Sequence, residues 1–342
     1  MKCALPVCFL NVLRRLRDAM AEKAGLAVRC ALAATLALHG FLPAQAQERV
    51  LVPWKTITGA QLVARAESGG DLLPGESQGY VPFIFPSSVA ARGSELYVAD
   101  SGARKIFRLD TAQQIMAAVP GADATSRTRL QAGPDQTLFV LDAGSATVLN
   151  ISRSGLLLES LSDPQAAANL GEFVVEEISG QIIASDRRSG RLLVIDPPGW
   201  ISRTLPAGGE GRAASLGALA SRGGNIYAVD RNCSCVVVMD ADGRELERVG
   251  EGTLAQPHAL AVDHFGRIFV ADTSSHTLNV YRDGERVASY EARKLQVREF
   301  SALAFDEGIL YAADGPGGQV VAFHVRAPRK SGRGAGGNAE DR

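Results

Sequence analysis

The chain has few of the residues that mark several protein classes. Its 342 residues include five cysteines and two tryptophans, and aromatic residues make up 6%. There is no Cys-x-x-Cys-His haem-attachment motif and no Gly-x-x-x-x-Gly-Lys phosphate loop. Lysine plus arginine (36) and aspartate plus glutamate (37) nearly balance. This balance differs from the basic composition typical of nucleic-acid binders, so we expect no nucleic-acid partner.

Long apolar segments are also scarce, and the most apolar one lies near the start of the chain. Residues 30–38 form an apolar run, which basic residues precede and a small-x-small sequence ending at Ala46 follows. This order is typical of a signal peptide, and the run is too short to cross a bilayer comfortably. We interpret residues 1–46 as a signal peptide that starts at Met1 or Met20. The mature protein is then expected to be periplasmic or secreted.

Without residues 1–46 the chain holds 30 basic and 35 acidic residues, a net charge of −5. No later segment is long and apolar enough to predict a membrane span. Two cysteines remain, Cys233 and Cys235. An even cysteine count in an exported protein suggests pairing, although a Cys-x-Cys ring is tight. Three interpretations stay open: a hairpin turn with free or bridged cysteines, a redox pair, and a metal site.

What the chain does contain is a sixfold internal repeat. Short β-type runs end at six aspartates, which are spaced 42, 44, 44, 42 and 42 residues apart. A period of about 40–45 residues with several short strands is typical of propeller blades. The sequence therefore predicts an all-β, six-bladed β-propeller of four-stranded antiparallel blades. The runs are LYVAD, LFVLD, IIASD, IYAVD, IFVAD and LYAAD, ending at Asp100, Asp142, Asp186, Asp230, Asp272 and Asp314.

The fifth copy shows the strands of one blade most fully. Residues 257–263 form a first strand with small residues on one side, and Gly266 ends a turn into the second strand, 268–271. Residues 278–281 form a third strand, and Asp283-Gly284 signals a hairpin to a fourth. Four antiparallel strands within about 42 residues make one blade.

The sixth copy contains three strands within residues 300–325 and no fourth. An open ring would expose a strand edge, so the N-terminal segment is expected to supply the missing outer strand. Either residues 49–57 or the stretch that begins at Leu62 suits this place. The predicted organisation is a signal peptide (1–46), an N-terminal segment (47–79), a propeller (80–326) and a disordered, basic, Gly-rich tail (327–342).

The fifth copy closely resembles the NHL repeat. The matching residues are Pro257-His-Ala-Leu-Ala-Val-Asp263, Gly266-Arg-Ile-Phe-Val-Ala-Asp-Thr273 and His276. The first copy is the next best match, and the resemblance extends over residues 80–326. It implies a six-bladed propeller. NHL propellers include scaffolds, nucleic-acid binders and a few lyases, so the resemblance implies a fold and leaves the activity open.

The six aspartates that end the second strands are the first candidate site. Each precedes a polar or Gly-containing turn, where an Asp side chain accepts hydrogen bonds from nearby backbone N–H groups. Six copies at one structural position favour a turn device over a site of six carboxylates.

His258 is the second candidate, because it begins an innermost strand and should lie near the central channel. Its strand start resembles a metal-bearing one in amidating lyases of the NHL type. This makes His258 the only candidate metal ligand, and a metal-dependent lyase or lactonase is the alternative function. No cofactor is expected, with a channel-bound metal ion left open, because the matching positions supply few ligands. Those positions are Ser87, Thr128, Leu216 and Ser301, with Gly171 or Glu172 in blade three.

Basic loop residues are the third candidate. The loops between second and third strands should emerge on one face, together with the starts of the inner strands. Basic residues outnumber acidic ones there, although the mature chain is net negative. This pattern predicts a non-catalytic binding or scaffold protein whose face docks a protein or an anionic glycan of the cell envelope. The predicted face comprises Arg104, Lys105, Arg187, Arg188, Arg231, His258 and His276.

Overall fold

A computed structural model describes eight stretches of the chain: 48–63, 77–133, 136–142, 147–161, 169–177, 179–196, 200–207 and 215–328. The expected signal peptide at 1–46 and the tail from residue 329 lie outside the described residues. Within these stretches the regular structure is β-strand, apart from short 3-10 turns such as Ala292–Leu295. The predicted all-β class is confirmed.

The strands are numbered in chain order. Three precede the first blade: β1 Leu51–Ile57, β2 Gly59–Val63 and β3 Ser77–Pro82. Blade one contains β4 Pro86–Arg92, β5 Glu95–Asp100, β6 Lys105–Asp110 and β7 Ile115–Ala118. Blade two contains β8 Arg129–Ala132, β9 Leu138–Asp142, β10 Thr147–Ile151 and β11 Leu157–Leu161. Blade three contains β12 Leu170–Val175, β13 Ile182–Asp186, β14 Arg191–Asp196 and β15 Trp200–Leu205.

The remaining strands complete the ring. Blade four contains β16 Leu216–Arg222, β17 Asn225–Asp230, β18 Cys235–Met239 and β19 Glu245–Val249. Blade five contains β20 Pro257–Val262, β21 Ile268–Asp272, β22 Thr277–Arg282 and β23 Glu285–Glu291. Blade six contains β24 Phe300–Asp306, β25 Ile309–Asp314 and β26 Gln319–Val325. Each inner strand contacts the inner strand of the next blade, and β24 contacts β4, so six blades close into a propeller.

Blade six takes its fourth strand from the N-terminal segment, as predicted. β1 pairs antiparallel with β26, with Leu51 opposite Val325 and Ile57 opposite Val320. The other segment considered for this place forms β2 instead. β2 pairs in parallel with β7 and antiparallel with β3, which extends the blade-one sheet to six strands. The N-terminal part therefore closes the ring and also covers the outer edge of blade one.

A buried ion pair supports the closure. Arg267 and Asp263 are fully buried, with Nε and Oδ2 2.6 Å apart. Nη2 of Arg267 donates to the carbonyl of Arg326 at 2.6 Å, and the N–H of Arg326 donates to the carbonyl of Val50 at 2.9 Å. A side chain of blade five thus holds the end of β26 beside the start of β1.

The recurring apolar runs are the second strands of the blades, and neighbouring blades bury both of their faces. Every residue of β5 and β21 is buried. A strand covered on both faces reads as a continuous apolar run rather than an alternating one. Between blades five and six, for example, Phe269 and Leu278 share a core cluster with Leu310 and Phe323.

The aspartates that end these strands bind backbone N–H groups, which confirms their interpretation as a turn device where their side chains are described. Asp100 accepts from Ile84, Phe85 and Ala103 at 2.7–2.9 Å. Asp272 accepts from Ala255, Gln256 and Ser275 at 2.6–3.0 Å. Each carboxylate ties the loop after its own strand to the residues that lead into the inner strand. Asp314 and Asp230 make the same kind of connection, and Asp186 bonds within its own loop.

Asp272 provides a test of this device. Burial raises the pKa of its carboxyl, but hydrogen bonds from Ser275, Ala255 and Gln256 outweigh burial and hold the pKa below its usual value. The stabilisation is therefore present above the unfolded pKa of about 4 and lost as the pH falls through the lowered pKa. We expect Asp272→Asn to lower the free energy of unfolding at pH 7 by about 1–3 kcal/mol, because three N–H groups lose a charged acceptor.

Urea unfolding at pH 7, 5 and 3 measures this effect, and the gap between wild type and variant should narrow at the acid end. Asp283→Asn is the matched control, because the Asp283 side chain is 95% exposed. Equal losses from the two variants would contradict the assigned role of Asp272.

Candidate functional site

The starts of the six inner strands surround one mouth of the central channel. The space there is open to solvent. Its walls differ from blade to blade: blades one and six contribute small residues, whereas blades two, three and five contribute ionisable ones. The polar lining residues are Ser88, Arg129, Gln131, Glu172, His258 and Ser301. We refer to this region as the channel mouth.

An ion pair joins blades two and three at the channel mouth. Nε of Arg129 lies 2.8 Å from both carboxylate oxygens of Glu172. Nη1 of Arg129 also donates to the carbonyls of Ser126 and Thr128. The sequence pattern does not reveal Arg129, because its equivalence to Glu172 becomes visible only with the strand register. Their opposite charges at one repeat position are the signal that could have revealed the pair.

Two predicted residues, Arg187 and Arg231, lie over the backbone of glycines that begin inner strands. A β-carbon on Gly171 would come 3.1 Å from Cγ and Nε of Arg187. A β-carbon on Gly217 would come 3.3 Å from Nη2 of Arg231. The absence of side chains at these glycines therefore provides the space in which the arginines lie. Neither arginine forms an ion pair with any residue that the structure describes.

The strand register corrects one sequence alignment. Pro257 pairs with Asp272 in blade five, and Leu216 pairs with Asp230 in blade four. The counterpart of His258 in blade four is therefore Gly217, one residue after the predicted Leu216. In blade three Leu170 pairs with Asp186, which assigns Gly171 to this position and places Glu172 one residue further along. After Leu170, Leu216 and Pro257 the strand pairing is irregular. The one-residue shift in alignment therefore cannot be read from the sequence spacing.

Positive charge dominates the electrostatics of the mouth. Burial is the main cause of a lowered Arg187 pKa, and Arg127, Arg129 and Arg231 lower it further, while Glu172 opposes them. The mutual influence of these arginines indicates that their charges lie close together. Both carboxylate oxygens of Glu172 already accept from Arg129.

His258 is solvent-accessible within the mouth but enclosed by protein. Burial is the largest cause of a lowered His258 pKa, followed by Arg129. Arg231 lowers the pKa as well, whereas Glu172 and Glu299 raise it. A pKa below its usual value of about 6.5 leaves the imidazole neutral at pH 7. His258 then contributes a hydrogen-bonding group and no charge.

Below the mouth, each blade contributes one buried apolar residue to a ring. All six side chains are 9% exposed or less. Each occupies the same repeat position, so the ring is a product of the blade register. The ring gives the mouth an apolar floor. Its members are Val89, Leu130, Phe173, Leu219, Leu260 and Leu303.

None of the other four predicted residues is among the named influences on the pKa of Arg187 or of His258. The Arg104 side chain is 75% exposed and pairs with Asp123 at 3.7 Å. Lys105 begins β6, and Arg188 is an exposed loop residue. His276 lies in the β21–β22 turn of blade five, with a φ of 51°. Arg231 influences the pKa values of both Arg187 and His258 and thus joins these residues into one group.

The metal interpretation of His258 has limited support from its surroundings. Both oxygens of the nearby Glu172 carboxylate accept from Arg129. In the described stretches no group of three or more His, Cys, Asp or Glu residues is placed to hold a metal ion. A channel-bound metal at His258 stays an untested prediction.

A disulfide joins Cys233 and Cys235, whose Cα atoms are 5.2 Å apart. Cys233 lies in the β17–β18 loop after Arg231 and packs against a core cluster, and Cys235 is the first residue of β18. The Ser234 hydroxyl between them donates to the carbonyl of Ala255 in the connection to blade five. This arrangement suits a structural turn, and whether the pair has a redox role stays open.

One sequence motif of serine hydrolases lies partly within the described residues. Residues 75–79 read Gly-Glu-Ser-Gln-Gly, which fits the Gly-x-Ser-x-Gly pattern of serine hydrolases. That motif works where its serine lies on a sharp turn from a strand into a helix. Here Ser77 is the first residue of strand β3. The local structure at Ser77 is therefore not a nucleophile elbow.

Comparisons with known proteins support the fold alone. No protein-family model matches the chain, and no curated protein matches its sequence. Virginiamycin B lyase from Staphylococcus aureus is structurally similar, with a TM-score of 0.53 and 10% identity over 71% of this chain and 96% of that one. A Bacteroides thetaiotaomicron protein of unknown function has a TM-score of 0.58 and 16% identity, over 79% of this chain and 76% of that one. An auxiliary nutrient binding protein from the same organism has a TM-score of 0.54 and 10% identity, over 70% of this chain and 69% of that one.

These solved structures are six-bladed propeller proteins, and this chain shares their fold. Sequence identities of 10–16% are too low to infer an activity of one protein from that of another. No helix in the described stretches has the length and apolarity needed to cross a membrane.

The electrostatics of the mouth can be tested through His258. We expect Arg231→Gln to raise the His258 pKa, because it removes a positive charge that disfavours the imidazolium. Glu299→Gln should lower the pKa further, because it removes a charge that favours protonation. NMR titration of the imidazole carbon-bound protons measures both shifts. Arg244→Gln, at an exposed turn of blade four, is the control, and the same shift in all three variants would contradict the proposed arrangement.

Proposed function

We propose that this protein is an exported, non-catalytic binding protein of the NHL type that captures an anionic ligand at the channel mouth. The observation that carries the proposal is a group of arginines beside this opening: Arg187 and Arg231 lie over glycines at the starts of inner strands, and the charge of Arg127 influences the pKa of Arg187. None of the three forms an ion pair with a described residue. Guanidinium groups that form no ion pair are suited to carboxylate or phosphate ligands.

The position of the charges makes them suited to a ligand. Arg187 and Arg231 are supported by glycine backbones, so part of the ordering that binding requires is already present. The neutral His258 adds a hydrogen-bonding group beside them. The mature chain is expected to be net negative, and a local positive field therefore selects anions at this opening rather than over the whole surface.

The proposed setting is the periplasm or the exterior of the cell, after cleavage near Ala46. An acidic protein segment and an anionic envelope glycan are the partners that fit this setting. A nucleic-acid partner is not proposed. The auxiliary nutrient binding protein offers a precedent for binding by a protein of similar fold.

Charge reversal tests the proposal. In the variant Arg127→Glu/Arg187→Glu/Arg231→Glu, we expect citrate binding to weaken at least about tenfold, because charge attraction at the mouth becomes repulsion. Isothermal titration calorimetry at 20 and 150 mM NaCl measures the affinity. Binding to the wild type should weaken at the higher salt, where the screening length shortens to about 8 Å.

The matched control reverses three exposed arginines away from the mouth, Arg203, Arg244 and Arg286. It changes net charge equally and should retain most of the affinity. Equal weakening of citrate binding in both triple variants would show that net charge alone causes the effect and would contradict the proposal. Unchanged citrate binding in the mouth variant would remove the proposal.

A metal-dependent lyase or lactonase remains the second candidate function. The observation that favours it is a neutral, solvent-accessible histidine in the channel, in a fold shared with virginiamycin B lyase. Elemental analysis of the purified mature protein separates the two functions. Stoichiometric zinc or calcium that disappears in His258→Ala would favour the enzyme, and a folded, metal-free protein that binds citrate would favour the binding protein.

A further inference from the structure

An exposed apolar pair lies on the same face as the channel mouth. Ile84 and Phe85 immediately precede the inner strand of blade one, and their exposures are 61% and 39%. We refer to these two residues as the apolar lip. Single exposed apolar residues are common on protein surfaces, but two adjacent ones at the border of a binding site need a physical explanation.

The lip is held in a fixed position. The N–H groups of Ile84 and Phe85 donate to the Asp100 carboxylate at 2.7 and 2.9 Å. A β-carbon on Gly102 would come 2.5 Å from Cγ2 of Ile84. A β-carbon on Gly315 of blade six would come 2.6 Å from Cε1 of Phe85. Two glycine backbones therefore support the lip, just as two others support Arg187 and Arg231.

The lip also borders the mouth. The β-carbon position on Gly315 that meets the Phe85 ring lies 2.7 Å from Oγ of Ser301 as well. Ser301 lines the mouth. The Phe85 ring is thus a neighbour of the mouth wall on the side of blades six and one.

Two other blades have small or polar residues where blade one has the lip. In blade five, Ala255 and Gln256 donate their N–H groups to Asp272 in the same way. In blade six, Arg298 and Glu299 donate theirs to Asp314. The backbone arrangement therefore does not require large apolar side chains at this position. Among blades one, five and six, only blade one has two of them there.

The order of blades places the lip across the channel from Arg187 and Arg231. In a closed ring of six, blade one lies opposite blade four, and blade six lies opposite blade three. Arg187 belongs to blade three and Arg231 to blade four, whereas the lip belongs to blade one and rests on blade six. The mouth accordingly has a cationic side and an apolar side, with the apolar floor between them.

We propose that the ligand is an amphiphilic anion, with its carboxylate or phosphate on Arg187 and Arg231 and its apolar body on the lip. This inference rests on the proposed function and narrows its ligand class. The arginines orient the anionic end, and the burial of apolar surface against Ile84 and Phe85 supplies further affinity. A purely polar anion would use only one side of the mouth.

Octanoate, acetate and octyltrimethylammonium are suitable probes for calorimetry on the mature protein. We expect octanoate to bind at least about tenfold more tightly than acetate, which is what the burial of roughly two methylene groups supplies. Octyltrimethylammonium has an apolar chain one carbon longer and the opposite charge, so it should bind more weakly than octanoate despite its longer chain. Equal binding of the two compounds would overturn the proposal.

The variant Ile84→Ala/Phe85→Gln gives the lip the residues that blade five has at this position, so the fold should tolerate it. It should reduce the octanoate advantage over acetate to about threefold or less, since most of the apolar contact is lost. Phe265→Gln is the matched control, because Phe265 is 42% exposed and follows the inner strand of blade five, at the other end from the mouth. Circular dichroism verifies that both variants fold.

The outcomes separate this inference from the proposed function. Tight citrate binding with no difference between octanoate and acetate would overturn the amphiphile and leave the anion site intact. Failure of every anion to bind would remove both. Phosphatidylglycerol vesicles distinguish a free ligand from a membrane lipid: co-sedimentation without octanoate binding would overturn the proposal in favour of docking to a membrane surface.

Discussion

The constraint on which the rest depends is the hydrogen bonding of the aspartates that end the second strands. Each of Asp100, Asp230, Asp272 and Asp314 ties the entry to its inner strand to the end of its second strand. The entries are the segments that surround the channel mouth. Because buried, charged acceptors fix them, loops with different sequences hold their side chains at defined positions, and a repetitive scaffold presents a non-repetitive face.

That face is informative because the blades differ there. Blades three and four have glycine at the inner-strand start and an arginine lying over it, whereas blade one has the apolar lip over two other glycines. Charge gives direction and selectivity to binding, and apolar burial adds affinity without dependence on salt. A mouth with both properties on opposite sides favours ligands that also have two different ends. A uniformly basic mouth would carry no such preference.

The sequence predicts the ring well because its period is a property of each blade. Blade number, strand count, the closing role of the N-terminal segment and the turn role of the aspartates all follow from the repeat. The composition of the mouth does not follow, because the repeat defines the face but not the direction of a side chain. Arg104 and Arg187 occupy similar loops, yet Arg104 pairs with Asp123 and Arg187 turns over Gly171. The shift from Leu216 to Gly217 depends on irregular pairing that has no sequence marker.

The most direct test of the two-sided mouth is a crystal structure of the mature protein with 8-bromooctanoate, in which anomalous scattering locates the bromine. The account predicts a carboxylate within hydrogen-bonding distance of Arg187 or Arg231 and a bromine peak beside Ile84 and Phe85. A carboxylate bound away from both arginines, or a bromine peak on the cationic side of the mouth, would contradict it.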